Sequence, residues 1–159
     1  DVERLAQLGV VAAVQPPHMT LDPGGPERDL GSERVPLMWP FKTMQEDGAT
    51  LAFGTDSPVV DVNSMGVLYS AITRQDPQTR EPRGGWLPEQ RISRADAIRA
   101  YTAGSAVAAQ RAGEVGELRP GMLADLAVVD TDLLACDAED ILDAKVVATW
   151  MGGTCVYEA

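Results

Sequence analysis

Two short, continuous apolar runs stand out in the first third of the chain. They occupy residues 10–14 and 50–54, and each is followed by glycine, proline or polar residues. A continuous run, unlike an alternating one, predicts a strand that is buried on both faces, as in a parallel sheet. Short helices are predicted before the two strands, at residues 1–8 and 41–47, each stopped by a glycine. This alternation predicts an α/β fold with a parallel sheet.

The middle of the chain adds two helices and two polar loops. A helix with an apolar stripe is predicted at residues 65–73, and Ser93 with Asp96 forms a capping-box pattern that begins another, alanine-rich helix. Residues 19–36 and 75–90 are rich in proline, glycine and charge, which predicts long loops. Loops of this length are uncommon in compact domains and are often functional.

The last part of the chain has the pattern of a small β module. Three strands are predicted: residues 126–130, 146–151 and 154–157. Gly152-Gly153 between the last two reads as a two-residue hairpin turn. We therefore predict a domain boundary near Gly113, with βα units in residues 1–113 and the β module in residues 114–159.

Composition and charge narrow the possible functions. The 159 residues are 45% hydrophobic and 23% charged, as in ordinary globular proteins, and the net charge is −11. We expect no nucleic-acid partner, because phosphate binding needs a basic face. Cys136 and Cys155 lie outside any CxxC or Cys/His cluster, which argues against a disulfide framework or a structural zinc site. No apolar run approaches the roughly 20 residues of a membrane span, so no membrane partner is expected.

Asp56 is the strongest candidate for a chemical role. It follows the second predicted strand, within Thr-Leu-Ala-Phe-Gly-Thr-Asp-Ser-Pro at residues 50–58. In parallel α/β barrels the C-terminal ends of the strands carry the chemistry. A carboxylate there can bind a metal or transfer a proton. The alternative is structural: Asp56 caps the next element and Ser57-Pro58 forms a turn.

Three segments together resemble one family. They are Val-Gln-Pro-Pro-His at residues 14–18, Leu-Ala-Phe-Gly-Thr-Asp-Ser-Pro at residues 51–58, and a GxLxxGxxADLxxxD pattern at residues 116–130. Their order and spacing are similar to those of the amidohydrolase superfamily, in particular its amidohydrolase 3 branch with N-substituted formamide deformylase-like enzymes. Ala-Ile-Thr-Arg at residues 71–74 and Ala-Tyr-Thr-Ala at residues 100–103 also look like that branch. The resemblance extends over essentially the whole chain.

The resemblance implies a fold that is larger than this chain. The chain looks like the C-terminal part of a (β/α)₈ TIM-like barrel, with its last strands and helices, plus a composite β-sandwich module. Residues 10–14 would be the seventh barrel strand and residues 50–54 the eighth, with the other strands upstream of Asp1. Because strands without neighbours leave open edges, we expect a homo-oligomer or association with the missing N-terminal part.

The resemblance also implies a function for the parent protein. It would be a cytoplasmic, metal-dependent hydrolase that cleaves non-peptide C–N bonds, amide or formamide-like, in a small-molecule substrate. A divalent metal, with zinc expected, would activate the attacking water. In that scheme Asp56 is a metal ligand and also the proton shuttle between the water and the leaving nitrogen.

One departure from the family limits this interpretation. The chain contains a single histidine, His18, and no HxH motif, whereas the family draws most of its metal ligands from histidines. We therefore expect that this chain alone neither holds the metal nor catalyses the reaction. The alternative function is that of a non-catalytic fragment or a degenerate barrel, acting only in packing, oligomerisation or ligand binding.

Four further residues are candidates for substrate binding: Gln15, His18, Trp39 and Arg74. The first two follow the first predicted strand, Trp39 lies in a loop, and Arg74 ends a helix, where it could meet a substrate carboxylate. Each has a structural alternative. Gln15 could cap the barrel rim, His18 could bond to a neighbour, and Trp39 could pack over the edge of the core. For Arg74 we expect an ion pair with Asp76 instead.

Overall fold

The structure is a computed structural model that describes residues 1–22 and 24–159. Its helices are α1 (Val2–Gln7), α2 (Gly25–Leu30), α3 (Phe41–Glu46), α4 (Ser64–Thr73), α5 (Arg94–Arg99), α6 (Ser105–Ala108) and α7 (Asp140–Asp143). Its strands are β1 (Ala12–Val14), β2 (Leu51–Phe53), β3 (Leu126–Val129), β4 (Val146–Met151) and β5 (Thr154–Glu158). Short 3-10 helices occupy Pro16–Thr20, Val35–Leu37 and Pro88–Gln90. Within the described residues, every helix is too short or too polar to cross a bilayer.

Strands β1 and β2 form a two-stranded parallel sheet. Ala12 pairs with Leu51 and Val14 with Phe53. All three residues of β2 are buried, which agrees with the continuous apolar pattern of the sequence. The predicted α/β fold is therefore confirmed, although β1 begins two residues later than predicted and β2 is one residue shorter at each end. Two strands do not make a barrel, and the barrel assignment stays a prediction.

One continuous helix, built from α5, a π-helical turn at Ala100–Gly104, and α6, packs against β2. A side chain at position 104 would collide with the carbonyl oxygen of Leu51, so glycine allows the close approach. The hydroxyl of Ser105 donates a hydrogen bond of 2.9 Å to the carbonyl of Phe53. The helix is thereby fixed at the strand that leads to Asp56.

The predicted cap of this helix is confirmed. Ser93 is the N-cap of α5, and its hydroxyl oxygen accepts a hydrogen bond of 3.1 Å from the backbone N–H of Asp96. The same hydroxyl donates to the Asp96 carboxylate at 2.5 Å. The first contact satisfies a backbone N–H that a helix N-terminus otherwise leaves without an intrahelical partner, and the second joins the two side chains of the cap.

Strands β3, β4 and β5 form a separate antiparallel sheet in that order. Gly152 and Gly153 link β4 to β5 with φ of 56° and 80°, as a two-residue hairpin turn requires, so the predicted hairpin is confirmed. The Asp125 carboxylate accepts a hydrogen bond of 2.7 Å from the backbone N–H of Gly152. This contact supports a structural role for Asp125.

The segment between β3 and β4 returns to the rest of the chain and packs on α4. Ile141 in α7 is fully buried, in the same core cluster as Val67 and Tyr69 of α4. The Tyr69 hydroxyl donates to the Glu139 carboxylate at 2.8 Å. The predicted division into residues 1–113 and 114–159 stays a prediction, although core contacts extend across it.

The predicted long loop at residues 19–36 is wrong in part, because α2 lies within it. The sequence Gly24-Gly25-Pro26 places a proline in the first turn of α2, where its missing N–H costs nothing. Gly31, with φ of 78°, ends the helix. Pro23 belongs to the predicted loop but lies outside the described residues.

Candidate functional site

The C-terminal ends of β1 and β2 bring His18 and Asp56 together. The parallel ladder continues past the strands, with Gly54 N–H donating to the carbonyl of Val14 at 3.2 Å. Gln15 follows β1, and the 3-10 helix after it carries His18. His18 Nε2 lies 4.0 Å from Asp56 Oδ2. Two of the predicted site residues thus meet at one edge of the sheet, with Gln15 at the end of the same strand.

Asp56 has a backbone conformation that is rare for residues other than glycine. Its φ is 57°, in the left-handed region, and its carbonyl accepts a hydrogen bond of 2.8 Å from Val59 N–H. Such conformations cost about 1–3 kcal/mol and concentrate at functional sites. The Asp56 side chain is 56% exposed. The turn at Ser57-Pro58 that the structural alternative predicted is therefore present, and the exposed Asp56 carboxylate is also open to an incoming group.

His18 has a buried ring nitrogen that lacks a partner. Its side chain is 21% exposed, but Nε2 is buried and has no hydrogen-bond partner among the described residues. A distance of 4.0 Å to Asp56 is too long for a hydrogen bond. A buried polar atom left unpaired is costly, so Nε2 is suited to a partner that enters the space between the two side chains.

The residues at this edge do not complete a metal centre. In the part of the chain that the structure describes, no three His, Cys, Asp or Glu side chains are grouped closely enough to hold a metal ion. Asp56 and His18 offer two donor atoms with nitrogen and oxygen chemistry that suits zinc. A catalytic zinc site uses three protein ligands and an open position. The two donor atoms are of the chemical types that bind a metal, but they are too few to form a catalytic metal centre.

Trp39 lies at a cavity next to His18. The cavity measures about 320 Å³, and both residues line it. Trp39 has a φ of 43°, another left-handed conformation, and its ring packs edge-on against Trp86 with ring centroids 5.7 Å apart. It is half-buried, so it both packs against a neighbour, as the alternative predicted, and contributes to the cavity.

Arg74 is fully buried, and its guanidinium lies over the Trp86 ring, 5.7 Å from the ring centroid. Its Nε donates to the Trp86 carbonyl at 2.5 Å and its Nη1 to the Trp39 carbonyl at 3.1 Å. The guanidinium lies over the Phe41 ring at 5.4 Å. Burial lowers the pKa of Arg74 to about 10, so the side chain is still a cation at neutral pH.

The predicted ion pair between Arg74 and Asp76 is wrong. The Asp76 carboxylate instead accepts hydrogen bonds from the backbone N–H groups of Gln78 and Thr79, at 2.9 and 2.7 Å. Burial by itself raises the pKa of Asp76, but these hydrogen bonds hold it below its usual value. The left-handed conformation of Arg74 at the end of α4 separates the two side chains, since Arg74 turns inward to the loop carbonyls.

Several residues around the cavity were not anticipated from the sequence. Met19, Leu30 and Met38 line it together with His18 and Trp39. They belong to the region predicted as a long loop or lie just after it. The proline and glycine positions of α2 were the signal that could have indicated an ordered wall there.

Comparisons with known proteins identify the family of this chain. The profile of the amidohydrolase family matches residues 1–157. The chain belongs to the amidohydrolase family.

Two relatives illustrate the breadth of this family. Protein LONG AFTER FAR-RED 3 of Arabidopsis thaliana is 37% identical over 158 residues, which cover 99% of this chain and 26% of the relative. N-substituted formamide deformylase of Arthrobacter pascens is 25% identical over 122 residues, which cover 76% of this chain and 22% of the relative. The chain therefore spans about a quarter of the length of these relatives. The resemblance inferred from the sequence is confirmed.

A solved structure shares the fold. An uncharacterized metal-dependent hydrolase from Pyrococcus horikoshii has a TM-score of 0.74 at 30% identity, and the match covers 86% of this chain and 27% of that protein. This chain therefore shares the fold of about a quarter of that hydrolase.

Proposed function

We propose that this chain supplies the Asp56 edge of the active site in a metal-dependent hydrolase of non-peptide C–N bonds. The observation that carries the proposal is the meeting of Asp56 and His18, 4.0 Å apart, at the C-terminal ends of two parallel strands. The substrate would be a small molecule with an amide or formamide-like bond, as the name of the Arthrobacter pascens relative suggests.

Asp56 would act through its carboxylate oxygens in two ways. One oxygen would serve as a ligand of a divalent metal, with zinc favoured by nitrogen and oxygen donors. When bound, the metal would lower the pKa of water and polarise the substrate carbonyl. The carboxylate would also take the proton from the attacking water and deliver it to the leaving nitrogen. Its exposed position allows both contacts.

His18 and Gln15 would orient the substrate beside Asp56. The unpartnered Nε2 of His18 would form a hydrogen bond with the substrate once the site is filled. The Gln15 amide, at the end of β1, would reach the substrate carbonyl. Arg74 would act on the substrate indirectly, through the Trp39 loop that it holds.

The remaining metal ligands would come from outside this sequence. We propose that β1 and β2 are the last two strands of a (β/α)₈ barrel, and that β3, β4 and β5 belong to a composite β-sandwich. The short parallel sheet supports this, because parallel sheets are normally covered on both faces by a larger fold. A cytoplasmic location stays a prediction.

The proposal is tested in a full-length protein that contains this chain. Asp56→Asn should lower turnover of amide substrates by roughly 10²–10⁴-fold, because it removes the proton acceptor and weakens the ligand. The bound-metal content should fall as well. Asp61→Asn, in the same loop, is the control, since an amide can still accept the hydrogen bond from Asn63 N–H. Normal turnover in Asp56→Asn would refute the proposal.

A second candidate function is that of a non-catalytic chain which only packs or binds a ligand. The shortage of metal donors in the described residues favours it. Elemental analysis of two samples, the purified 159-residue chain and the full-length protein, distinguishes the two candidate functions. Metal in the full-length protein but not in the chain fits the first proposal, whereas metal in neither fits the second.

A further inference from the structure

The cavity beside His18 has mostly apolar walls. Its lining includes Met19, Leu21, Leu30, Met38 and Trp39, and its volume is about 320 Å³. That volume is at the lower end of the roughly 300–1,000 Å³ typical of small-molecule sites. The space is large enough for one substituent of a substrate rather than for a whole large ligand.

Some of these apolar side chains are exposed around the cavity. Leu21 is 52% exposed and Leu30 is 42% exposed. Single exposed apolar residues are ordinary, but several grouped around one concave site mark a place where an apolar ligand binds. Their position next to His18 puts this surface within reach of the Asp56 edge.

The Trp39 wall is held in place before any ligand binds. Trp39 has a left-handed φ of 43°, a conformation that persists only where the surroundings hold it. Its carbonyl accepts hydrogen bonds from Arg74 Nη1 at 3.1 Å and from Phe41 N–H at 2.9 Å. Its ring contacts the ring of Trp86. Because Trp39 is already fixed, a ligand that packs against it does not pay the conformational entropy of ordering this side chain.

The charges at the cavity oppose an anionic ligand. Asp22 and Asp29 are part of the lining, and Arg28 forms ion pairs with both, at 2.8 and 2.9 Å. Two carboxylates share one guanidinium, so this side of the cavity keeps a net negative charge. A substituent that carries a carboxylate would be repelled there.

We propose that this cavity, the Trp39 cavity, selects substrates with an uncharged apolar substituent about the size of a phenyl group. The substituent lies against Trp39, Met38 and Leu30, and the scissile C–N bond extends past His18 to Asp56. This inference rests on the proposed function. It adds Trp39 and Leu30 as specificity-determining residues, with Arg74 as a positioning residue for Trp39.

The kinetic test compares two substrates in the full-length protein, N-phenethylformamide and N-methylformamide. Leu30→Asp should raise KM for the phenethyl substrate about tenfold or more, because it places a carboxylate against the apolar phenethyl group. The ratio of KM for the phenethyl substrate to KM for the N-methyl substrate should rise by a similar factor. Leu37→Asp is the matched control, because Leu37 is 71% exposed on the same segment and lies outside the lining. Equal effects on the two substrates would overturn the proposal.

A binding test separates this proposal from the proposed function. The probe is N-phenethylacetamide, titrated against the full-length protein by isothermal calorimetry. Saturable binding that weakens about tenfold in Leu30→Asp but not in Leu37→Asp supports the Trp39 cavity even if neither formamide is hydrolysed. In that case only the proposed function fails. No binding, or equal binding by both variants, overturns the Trp39 cavity even if amides are hydrolysed.

Discussion

The guanidinium of Arg74 and the carbonyl oxygen of Trp39 are joined by a hydrogen bond of 3.1 Å. The bond spans 35 residues of sequence and fixes a tryptophan whose φ is 43°. A second bond from Arg74, to the Trp86 carbonyl, ties another loop to the same cation. The two aromatic loops are therefore held by one buried side chain.

Replacing Arg74 by lysine should lower the free energy of unfolding by about 2–4 kcal/mol, because one ammonium cannot bond both carbonyls as the guanidinium does and also loses the guanidinium's contact with the Phe41 ring. The measurement is urea denaturation followed by tryptophan fluorescence. Arg83→Lys is the control, since the Arg83 side chain is 94% exposed, and it should change stability by less than about 0.5 kcal/mol. Equal stability of the two variants would refute the role assigned to Arg74.

The sequence predicted that Asp56 and His18 each follow a strand of a parallel sheet, and the structure adds that their side chains lie 4.0 Å apart. Both follow apolar runs, and the ends of parallel strands lie at one sheet edge, so topology alone brings them together. The partners of Arg74 could not be predicted in this way. They are backbone carbonyls in two loops, and a carbonyl carries no sequence signal that distinguishes one loop residue from another.

The acidic segment from residue 130 to 143 illustrates a second limit. Its charge pattern predicts a solvated loop and the start of a helix. The helix is α7, but Ile141 within it is fully buried and Glu139 accepts a hydrogen bond from the Tyr69 hydroxyl. The density of charged residues correctly predicted that much of this segment faces solvent. It could not indicate which of its few apolar residues enters the core, because that depends on the position of α4.

Glu139 should make stability depend on pH in the acidic range. Hydrogen bonds from Tyr69 and from Arg80 lower the pKa of Glu139 below its ordinary value of 4.5. Folding therefore favours the carboxylate, so this contribution is present above pH 4.5 and is lost as the pH falls through the lowered pKa. Because the Glu139 side chain is 59% exposed, we expect about 1 kcal/mol or less.

The measurement is the stability difference between the wild type and Glu139→Gln as a function of pH. The difference should be greatest near pH 7 and should shrink as the pH falls below 4.5. Tyr69→Phe should return the pKa of Glu139 toward its ordinary value, since the Tyr69 hydrogen bond is the main cause of the shift. Glu33→Gln, at an exposed position, is the control. A difference that does not change with pH would contradict this role of Glu139.

The Ser93 cap should contribute measurably to stability. Ser93→Ala removes the acceptor of the Asp96 N–H and should cost about 1 kcal/mol. The Ser93 hydroxyl is also the main reason that the pKa of Asp96 is lowered, so this pKa should rise toward 3.8 in the variant. Chemical denaturation and an NMR titration measure the two effects. Ser93→Thr keeps the hydroxyl and should restore both, and its failure to do so would argue against the cap.

The 159-residue chain should self-associate, because its sheets leave open edges and exposed apolar residues. β5 is an outer strand whose five residues are all exposed, including Val156 at 57% and Tyr157 at 50%. An exposed, apolar edge strand is a template for pairing with another chain. Light scattering at micromolar concentration should therefore give a mass above the 17.0 kDa of one chain.

A charge placed on this edge should reverse the association. Val156→Lys puts a cation on β5, and lysine on an edge strand opposes pairing with a second strand. The mass should then move toward that of one chain. Val62→Lys is the matched control, because Val62 is 73% exposed but lies outside the strands. A wild-type chain that is already a stable monomer would exclude self-association. If the chain associates but Val156→Lys has no effect, the contact lies elsewhere, and the open edges of β1 and β2 are the next surface to test.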